Sequence, residues 1–298
     1  MKVLILGLPY FAKKLKEDLS GFDKSNRYIF LDTYYSFIDK IIFIFILPFV
    51  DVVISLNGVS DKSGTLELAV KLKKKIIMHW QGTDVLLALK RFHNNTIYKK
   101  YIENSFHFTD SENLKNELNS ISINCSLLYY KFLNISEYKS DSKSKTAYTY
   151  IAKNKENFYG WEIIKDAFEQ LPDYKLIVVG TDGENLNAPK NVTFKGWVSK
   201  DEMKKIIKEN ILFIRLTEHD GFSLSVLEAL SAGNYIIWNY KIENGFLLEN
   251  KNELKSLIVN SFNNNIVNYK GIEWIKNNFN KELILSNLLN KINEIGSK

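Results

Sequence analysis

The chain has 298 residues, of which 45% are hydrophobic, 25% charged and 13% aromatic, a balance that excludes intrinsic disorder and fibrous repeats. A single cysteine, Cys125, excludes an intrachain disulfide or a cysteine-ligated zinc, and the four histidines form no close metal-ligand pair. The net charge of +6 is uneven: residues 1–140 hold 19 Lys+Arg against 14 Asp+Glu, and residues 141–298 hold 21 against 20. In chain order, Lys2–Leu6 reads as a buried strand, Phe11–Leu19 as a helix and Tyr28–Leu31 as a second strand. The run Ile41–Val50 is the most apolar, but ten residues cannot cross a bilayer as a helix, which needs about 20. Asp51–Leu56 is a third strand, 63–74 a helix, and Lys75–Trp80 a fourth strand ending in Gln81-Gly82-Thr83-Asp84. Strands alternating with helical patterns predict parallel βαβ units.

The polar stretch Asn134–Thr146 is the best linker candidate. Beyond it the alternation restarts, with strands at 147–152, 175–179, 191–194, 211–216 and 235–238. Helices are expected at 161–171, 201–208, about 225–232 and 281–295. The expected organisation is a Rossmann-like domain over 1–136, a linker at 137–146, a second Rossmann-like domain over 147–280 and a C-terminal helix at 281–298. No signal-peptide pattern precedes the first strand, so a cytoplasmic protein is expected, at most peripheral on the inner face of the cell membrane. With only Arg27, Arg91 and Arg215 as arginines, a sequence-specific nucleic-acid partner is disfavoured. The clusters Lys13-Lys14-Leu15-Lys16 and Lys71-Leu72-Lys73-Lys74-Lys75 read either as a solvated lysine face or as a surface for an anionic membrane or acceptor.

The segment with most chemistry is Glu218–Gly233, placed between a buried strand and a helix at the carboxyl edge of a presumed parallel sheet, where open α/β sheets bind ligands. Gly221 permits close backbone approach, Ser223 and Ser225 offer hydroxyls and a helix cap, and amides at a helix start face anions. Asp220 and Glu228, separated by seven residues, are placed to take sugar and ribose hydroxyls; ordinary strand–turn–helix capping is the alternative.

At these residues the chain resembles the retaining GT-B glycosyltransferases, especially glycosyltransferase family 4, whose motif has the form E-G-F-G-L-P-V-L-E-A. Asp220 occupies the first acidic position and Glu228 the second, while Ser223 replaces a glycine and Ser225 a proline. The stretch Asn191–Val198 is similar to the family's base-binding strand and loop, which implies base contacts at Trp197 and Val198; Trp197 as a packing aromatic is the alternative. Ile151–Lys155 resembles the diphosphate-gripping segment, but no arginine is present, so Lys153 and Lys155 are its substitutes or else surface charges. The loop His79–Val85 looks like the family's H-G-T-D loop, with Gln81 at the histidine position. His79 is then either a catalytic contact or a satisfied strand-end histidine, and Asp84 a helix cap or an acceptor-site acid. Gly7 occupies the place of a glycine loop beside the donor phosphates.

The resemblance implies a GT-B fold, two Rossmann-like domains with parallel sheets facing a central cleft and a C-terminal helix crossing back to the first. It implies transfer of a sugar from a nucleotide-diphosphate sugar, UDP or GDP linked, to an acceptor hydroxyl with retained anomeric configuration. Asp220 and His79 would be catalytic; Lys153, Lys155, Ser223, Leu224 and Ser225 would hold the diphosphate, and Asp220, Gly221 and Phe222 the donor sugar. Glu228 would bind ribose, Trp197 and Val198 the base, and Gly7, Gln81 and Asp84 would lie on the acceptor side. No metal or cofactor is expected beyond the co-substrate, and the absence of D-x-D counts against a metal-dependent GT-A enzyme. The acceptor is expected to be a carbohydrate or lipid-linked glycan, with an anionic membrane surface met through the first domain. A nucleotide-sugar epimerase of GT-B shape, or a non-catalytic sugar-nucleotide-binding protein, are the alternatives.

Overall fold

A computed structural model describes residues 1–133, 135–138, 143–264 and 267–297. The chain forms two compact units, one comprising Met1–Lys131, Asp220–Phe222 and Glu282–Lys298, the other Phe132–His219 and Ser223–Lys281.

The first unit begins β1 (Lys2–Gly7), α1 (Pro9–Phe22), β2 (Arg27–Phe30), α2 (Phe37–Ile46) and β3 (Val52–Leu56). It continues α3 (Gly64–Lys71), β4 (Lys75–Trp80), α4 (Thr83–His93), α5 (Lys99–Glu103), β5 (Phe106–Thr109), α6 (Glu112–Ser120) and β6 (Cys125–Leu127). All six strands are parallel, in the order β2-β1-β3-β4-β5-β6. β1 and β3 are in register from Val3↔Val52 to Gly7↔Leu56, and both are apolar and buried along nearly their whole length, as strands covered on both faces must be. One sheet face, through Leu4, Leu6, Val53, Ile76 and Met78, packs with Phe43 of α2, Leu66 and Ala69 of α3, Val85 and Ala88 of α4 and Leu114 of α6. Ser36 caps α2 through the Asp39 amide, and Ser63 caps α3 through the Leu66 amide.

The second unit runs β7 (Ser144–Tyr150), α7 (Trp161–Glu169), β8 (Lys175–Val179), β9 (Val192–Phe194), α8 (Lys200–Glu209) and β10 (Asn210–Arg215). It continues α9 (Leu224–Ser231), β11 (Tyr235–Trp238), β12 (Phe246–Leu247), α10 (Leu254–Asn263), α11 (Tyr269–Asn278) and the start of α12 (Lys281–Gly296). Its six strands are parallel too, in the order β12-β11-β10-β7-β8-β9. Trp161, Ile164 and Phe168 of α7 belong to one buried cluster with Ile211, Leu212 and Ile214 of β10 and Phe262 of α10. Ser199 and Glu202 form the Ser-x-x-Glu start of α8, the Ser199 hydroxyl accepting from the Glu202 amide at 3.2 Å.

Three short strands, β5, β6 and β12, carry too few apolar residues in sequence to be read from pattern alone, and sheet pairing supplies their order. Of the expected linker 137–146, residues 139–142 lie outside the described residues. Its first two residues end a 3-10 turn at Ile135–Tyr138, and its last three already belong to β7, whose exposed start at Ser144 and Lys145 hides the strand in sequence. From Glu282 on, α12 belongs to the first unit, burying Ile284, Leu285, Leu288, Ile292 and Ile295.

Candidate functional site

In the second sheet the chain moves outward from β7 through β8 to β9, then returns to β10 on the other side of β7. The loops leaving β7 and β10 therefore diverge at neighbouring carboxyl ends, which is where open parallel sheets leave a crevice for ligands. The loop after β7 carries Lys153 and Lys155; the loop after β10 leads to Ser223 and α9. Lys153 is solvent-exposed, with Nζ 2.9 Å from Asp182 Oδ2 and 3.5 Å from Glu184 Oε2, and the Asp182 carboxylate raises the lysine's pKa. Lys155 is also exposed, its amide closing a turn on the Ala152 carbonyl at 3.0 Å.

α9 is eight residues long and begins immediately after Ser223. The Ser223 hydroxyl meets the Ser225 hydroxyl at 2.9 Å and makes no cap bond, so the amides of the first turn, Leu224 included, are not capped by the Ser223 side chain. One turn on, the Glu228 carboxylate accepts from the Tyr138 hydroxyl at 2.7 Å. Tyr138 is buried, and the turn that carries it is fixed to α8 by the Lys204–Glu137 ion pair. The loop before α9 is tied down from two sides: the Thr217 amide donates to Asn239 Oδ1 at 3.1 Å, and the Glu218 amide to the Phe158 carbonyl at 3.0 Å. Gly160, at φ +63°, starts α7 so close to Leu216 that an added Cβ would stand 2.9 Å from the Leu216 Cβ.

The loop that carries Trp197 and Val198 follows β9. Gly196, at φ +63°, turns the chain, its amide bonded to the Thr181 carbonyl and its carbonyl accepting from the Gly180 amide. Trp197 is 83% exposed, so its indole is not a packing residue in this structure; Val198 beside it is half-buried.

The first unit places its candidates differently. Its own strand order turns between β1 and β3, and there Gly7, Leu8, Ser55, Asn57 and Asp84 line a cavity of about 880 Å³. Gly7 has φ +100°, and a Cβ there would lie 2.7 Å from the Leu56 backbone, so only glycine fits. Asp84 is buried and accepts from the amides of Gly58, Gln81, Gly82 and Val85, fastening the loop after β3 to the loop after β4. Burial raises its pKa, and those four amides offset only part of that rise.

His79 is buried, with Nε2 2.6 Å from the Leu128 carbonyl and Nδ1 2.7 Å from Gln81 Nε2. A carbonyl only accepts, so Nε2 carries the proton and Nδ1 accepts from the Gln81 amide. The Tyr130 hydroxyl in turn donates to Gln81 Oε1 at 2.7 Å, and burial lowers the His79 pKa. The imidazole as found is a satisfied strand-end histidine that orients Gln81.

Asp220, Gly221 and Phe222 cluster with this first unit. The Phe222 carbonyl accepts from Lys131 Nζ at 2.9 Å, and Lys131 also stands 2.8 Å from the fully buried Asp110. The Tyr129 and Phe222 rings lie 5.3 Å apart. A Cβ on Gly221 would come within 2.1 Å of the Gln81 carbonyl oxygen, so this glycine is required for close approach.

Thus Lys153, Lys155, Ser223, Leu224, Ser225 and Glu228 share one sheet edge, and Gly7 shares a cavity with Asp84. Tyr138, Tyr130, Lys131 and Asn239 are the partners that sequence reading missed. Each lies far along the chain from the residue it orients, and only Tyr138 gave a signal, as the lone aromatic inside the polar stretch Asn134–Thr146. Among the described residues no cluster of three His, Cys, Asp or Glu side chains is placed to hold a metal ion.

The family Glycosyl transferases group 1 matches residues 135–281, which span the second unit's sheet and every residue placed at its crevice. No curated protein sequence matches the chain. A glycosyltransferase from Rickettsia africae ESF-5 is similar in structure over 99% of this chain and 98% of its own, with a TM-score of 0.72 and 14% identity. The sucrose-phosphate synthase of Thermosynechococcus elongatus is similar over 100% of both chains, with a TM-score of 0.72 and 12% identity. The pneumococcal O-GlcNAc transferase GtfA, solved with UDP and GlcNAc, is similar over 82% of this chain and 56% of its own, with a TM-score of 0.56 and 13% identity. At such identities the likeness establishes the fold. Residues 135–281 therefore match the glycosyl transferases group 1 family, in a chain that has the GT-B fold of the solved glycosyltransferases it resembles.

Proposed function

We propose that this chain is a retaining glycosyltransferase that moves a sugar from a nucleotide-diphosphate sugar, UDP or GDP linked, to an acceptor hydroxyl. The observation that supports this most is the second unit's crevice, where the lysine loop after β7 and the start of α9 meet one sheet edge. Such an edge suits a diphosphate: helix amides and ammonium groups stabilise the charge that gathers as the leaving group departs. Lys153 and Lys155 with the Ser223–Ser225 turn take the diphosphate, Glu228 the ribose hydroxyls, and Trp197 with Val198 the base. For Lys153 to do so, its ammonium exchanges Asp182 and Glu184 for phosphate oxygens.

Asp220, with the Gly221 and Phe222 backbone, contacts the donor sugar. The bond from the anomeric carbon to the diphosphate oxygen breaks while the acceptor oxygen bonds to that carbon on the same face. The acceptor proton passes to the departing phosphate oxygen, so no protein nucleophile and no metal are required. Gly7, Gln81 and Asp84 frame the acceptor side, and His79 acts there by holding Gln81. The acceptor is a carbohydrate or lipid-linked glycan, and the reaction takes place on the cytoplasmic side of a membrane.

A thermal-shift panel of UDP-, GDP-, ADP- and dTDP-sugars tests the donor, because a ligand of the native state raises its melting temperature by mass action. One diphosphate sugar is expected to stabilise the chain, and its sugar to appear on an acceptor with unchanged anomeric configuration. No shift with any donor, or an epimerised donor formed without acceptor, would sink the transferase reading.

A further inference from the structure

The first unit carries a surface that donor chemistry leaves unused. α2 reads Phe-Ile-Asp-Lys-Ile-Ile-Phe-Ile-Phe-Ile, yet Phe43 is the one residue it buries. Phe37, Ile38, Phe45 and Phe49 are each two-thirds or more exposed, and Tyr34, Tyr35, Ile41, Ile42 and Ile44 are exposed beside them. A helix apolar on nearly every side belongs in a core or in lipid, and this one is not in the core. Ten residues rise about 15 Å, half the thickness of a bilayer core. No helix among the described residues is long and apolar enough to cross a membrane, so this one could enter lipid only lengthwise.

Charge identifies the occupant. Lys2 sits over the Phe49 ring, 5.5 Å from its centroid, and Lys74 Nζ donates to the Pro48 carbonyl at 2.7 Å. α3 packs into the same core layer as α2 and ends in Lys71, followed by Lys73, Lys74 and Lys75. A cationic rim around an apolar face repels a second copy of itself and matches the anionic headgroups of a bilayer, with the lysine stems lying along the apolar region. α2 also forms one wall of the first unit's cavity, through Lys40, Phe43 and Ile44.

We propose that α2 lies in the surface of an anionic lipid bilayer and that the neighbouring cavity takes a lipid-anchored acceptor drawn from it. The second half of this rests on the transferase reading; the docking does not. The test is flotation of the full chain with phosphatidylcholine vesicles, with and without phosphatidylglycerol. The chain is expected to float with the anionic vesicles at low salt and to stay below with phosphatidylcholine alone. The triple substitution Phe37→Ser, Phe45→Ser and Phe49→Ser should weaken vesicle binding about tenfold or more, since each lost ring removes apolar burial in the interface. Its melting temperature and donor binding should not fall, because the three side chains are exposed. Replacing Lys71, Lys73 and Lys74 by Gln should weaken binding and flatten its salt dependence. Wild-type chain that stays below with anionic vesicles, or a triple variant that floats as well, overturns the docking. So does a dimer that the triple substitution dissolves, which would make the face a contact between copies. For the acceptor, transfer to a lipid-tailed glycan should exceed transfer to the same glycan without its tail, and equal rates overturn that half. Flotation needs no donor, so a chain that floats but transfers nothing upholds the docking and counts against the transferase reading alone.

Discussion

The two units share one plan, six parallel strands with helices on both faces, and differ in where the strand order reverses. In the first it reverses between β1 and β3, in the second between β7 and β10. The surroundings of those two points differ more. In the first unit the polar groups are consumed internally: Asp84 holds four amides, and Tyr130, Gln81 and His79 form a closed chain ending on the Leu128 carbonyl. In the second, Lys153, Lys155 and Trp197 stand in solvent, and buried Tyr138 prepares Glu228 from behind. One edge is a braced wall around a cavity, and the other keeps its charge and its aromatic at the surface, with Lys153 paired there to Asp182 and Glu184. The lesson is that polar residues at a sheet edge have to be sorted by whether the protein already satisfies them.

The sharpest way to break this contrast is Asp84→Ala. Four amides lose one buried acceptor, at a cost of about 4 kcal/mol of stability. Urea unfolding followed by tryptophans of each unit should show the first unit's transition shifted and the second's held; a common small shift would mean that Asp84 is not a brace. Next in size, Glu228→Ala should lower stability by about 1 kcal/mol, through the Tyr138 hydroxyl it leaves unpaired, while weakening donor binding about 100-fold, or about 3 kcal/mol, by calorimetry. Undiminished binding in that folded variant would remove Glu228 from the site. Trp197→Ala is expected to cost about 2 kcal/mol of donor affinity through lost base stacking, with no loss of stability because the ring is exposed. A loss of stability without a loss of affinity would return the indole to a packing role.

The smallest effect concerns pH and separates bracing from binding inside the second unit. Lys143 donates to the carbonyls of Lys208 and Asn210 at 3.1 and 3.2 Å and to Asn234 Oδ1, and burial lowers its pKa to about 8 from the usual 10.5. Between those values the unfolded chain binds more protons than the folded one, so stability rises with pH across that window. Relative to Lys143→Met, the wild type should gain about 1 kcal/mol between pH 7 and 9, after discounting for the solvent that still reaches the amine. A flat difference would show the ammonium to be well solvated.

Much of this was legible in the sequence because buried parallel strands are continuous apolar runs, as at Val3–Leu6 and Val52–Leu56. Residues 218–233 also carried their chemistry locally, so the turn and α9 could be placed before any contact was known. What could not be read is pairing at a distance. The hydroxyl that orients Glu228 comes from Tyr138, and the one that orients Gln81 comes from Tyr130, 90 and 49 positions away. No periodicity encodes such partners. β7 escaped notice at its start for a related reason: Ser144 and Lys145 are exposed, and only neighbouring strands make them part of a sheet.

The return of α12 to the first unit has a consequence for how the chain is made. Its Gly296 lies so near Met1 that a Cβ there would stand 2.3 Å from the Met1 sulfur, and Asn293 accepts a hydrogen bond from Asn26. The first sheet emerges from the ribosome early, but the helix that buries Ile284, Leu288 and Ile292 in that unit is translated only after the whole second sheet. The second unit is thus an insertion that has all of its strands before the first has its last helix, and the early sheet waits with part of its apolar surface uncovered.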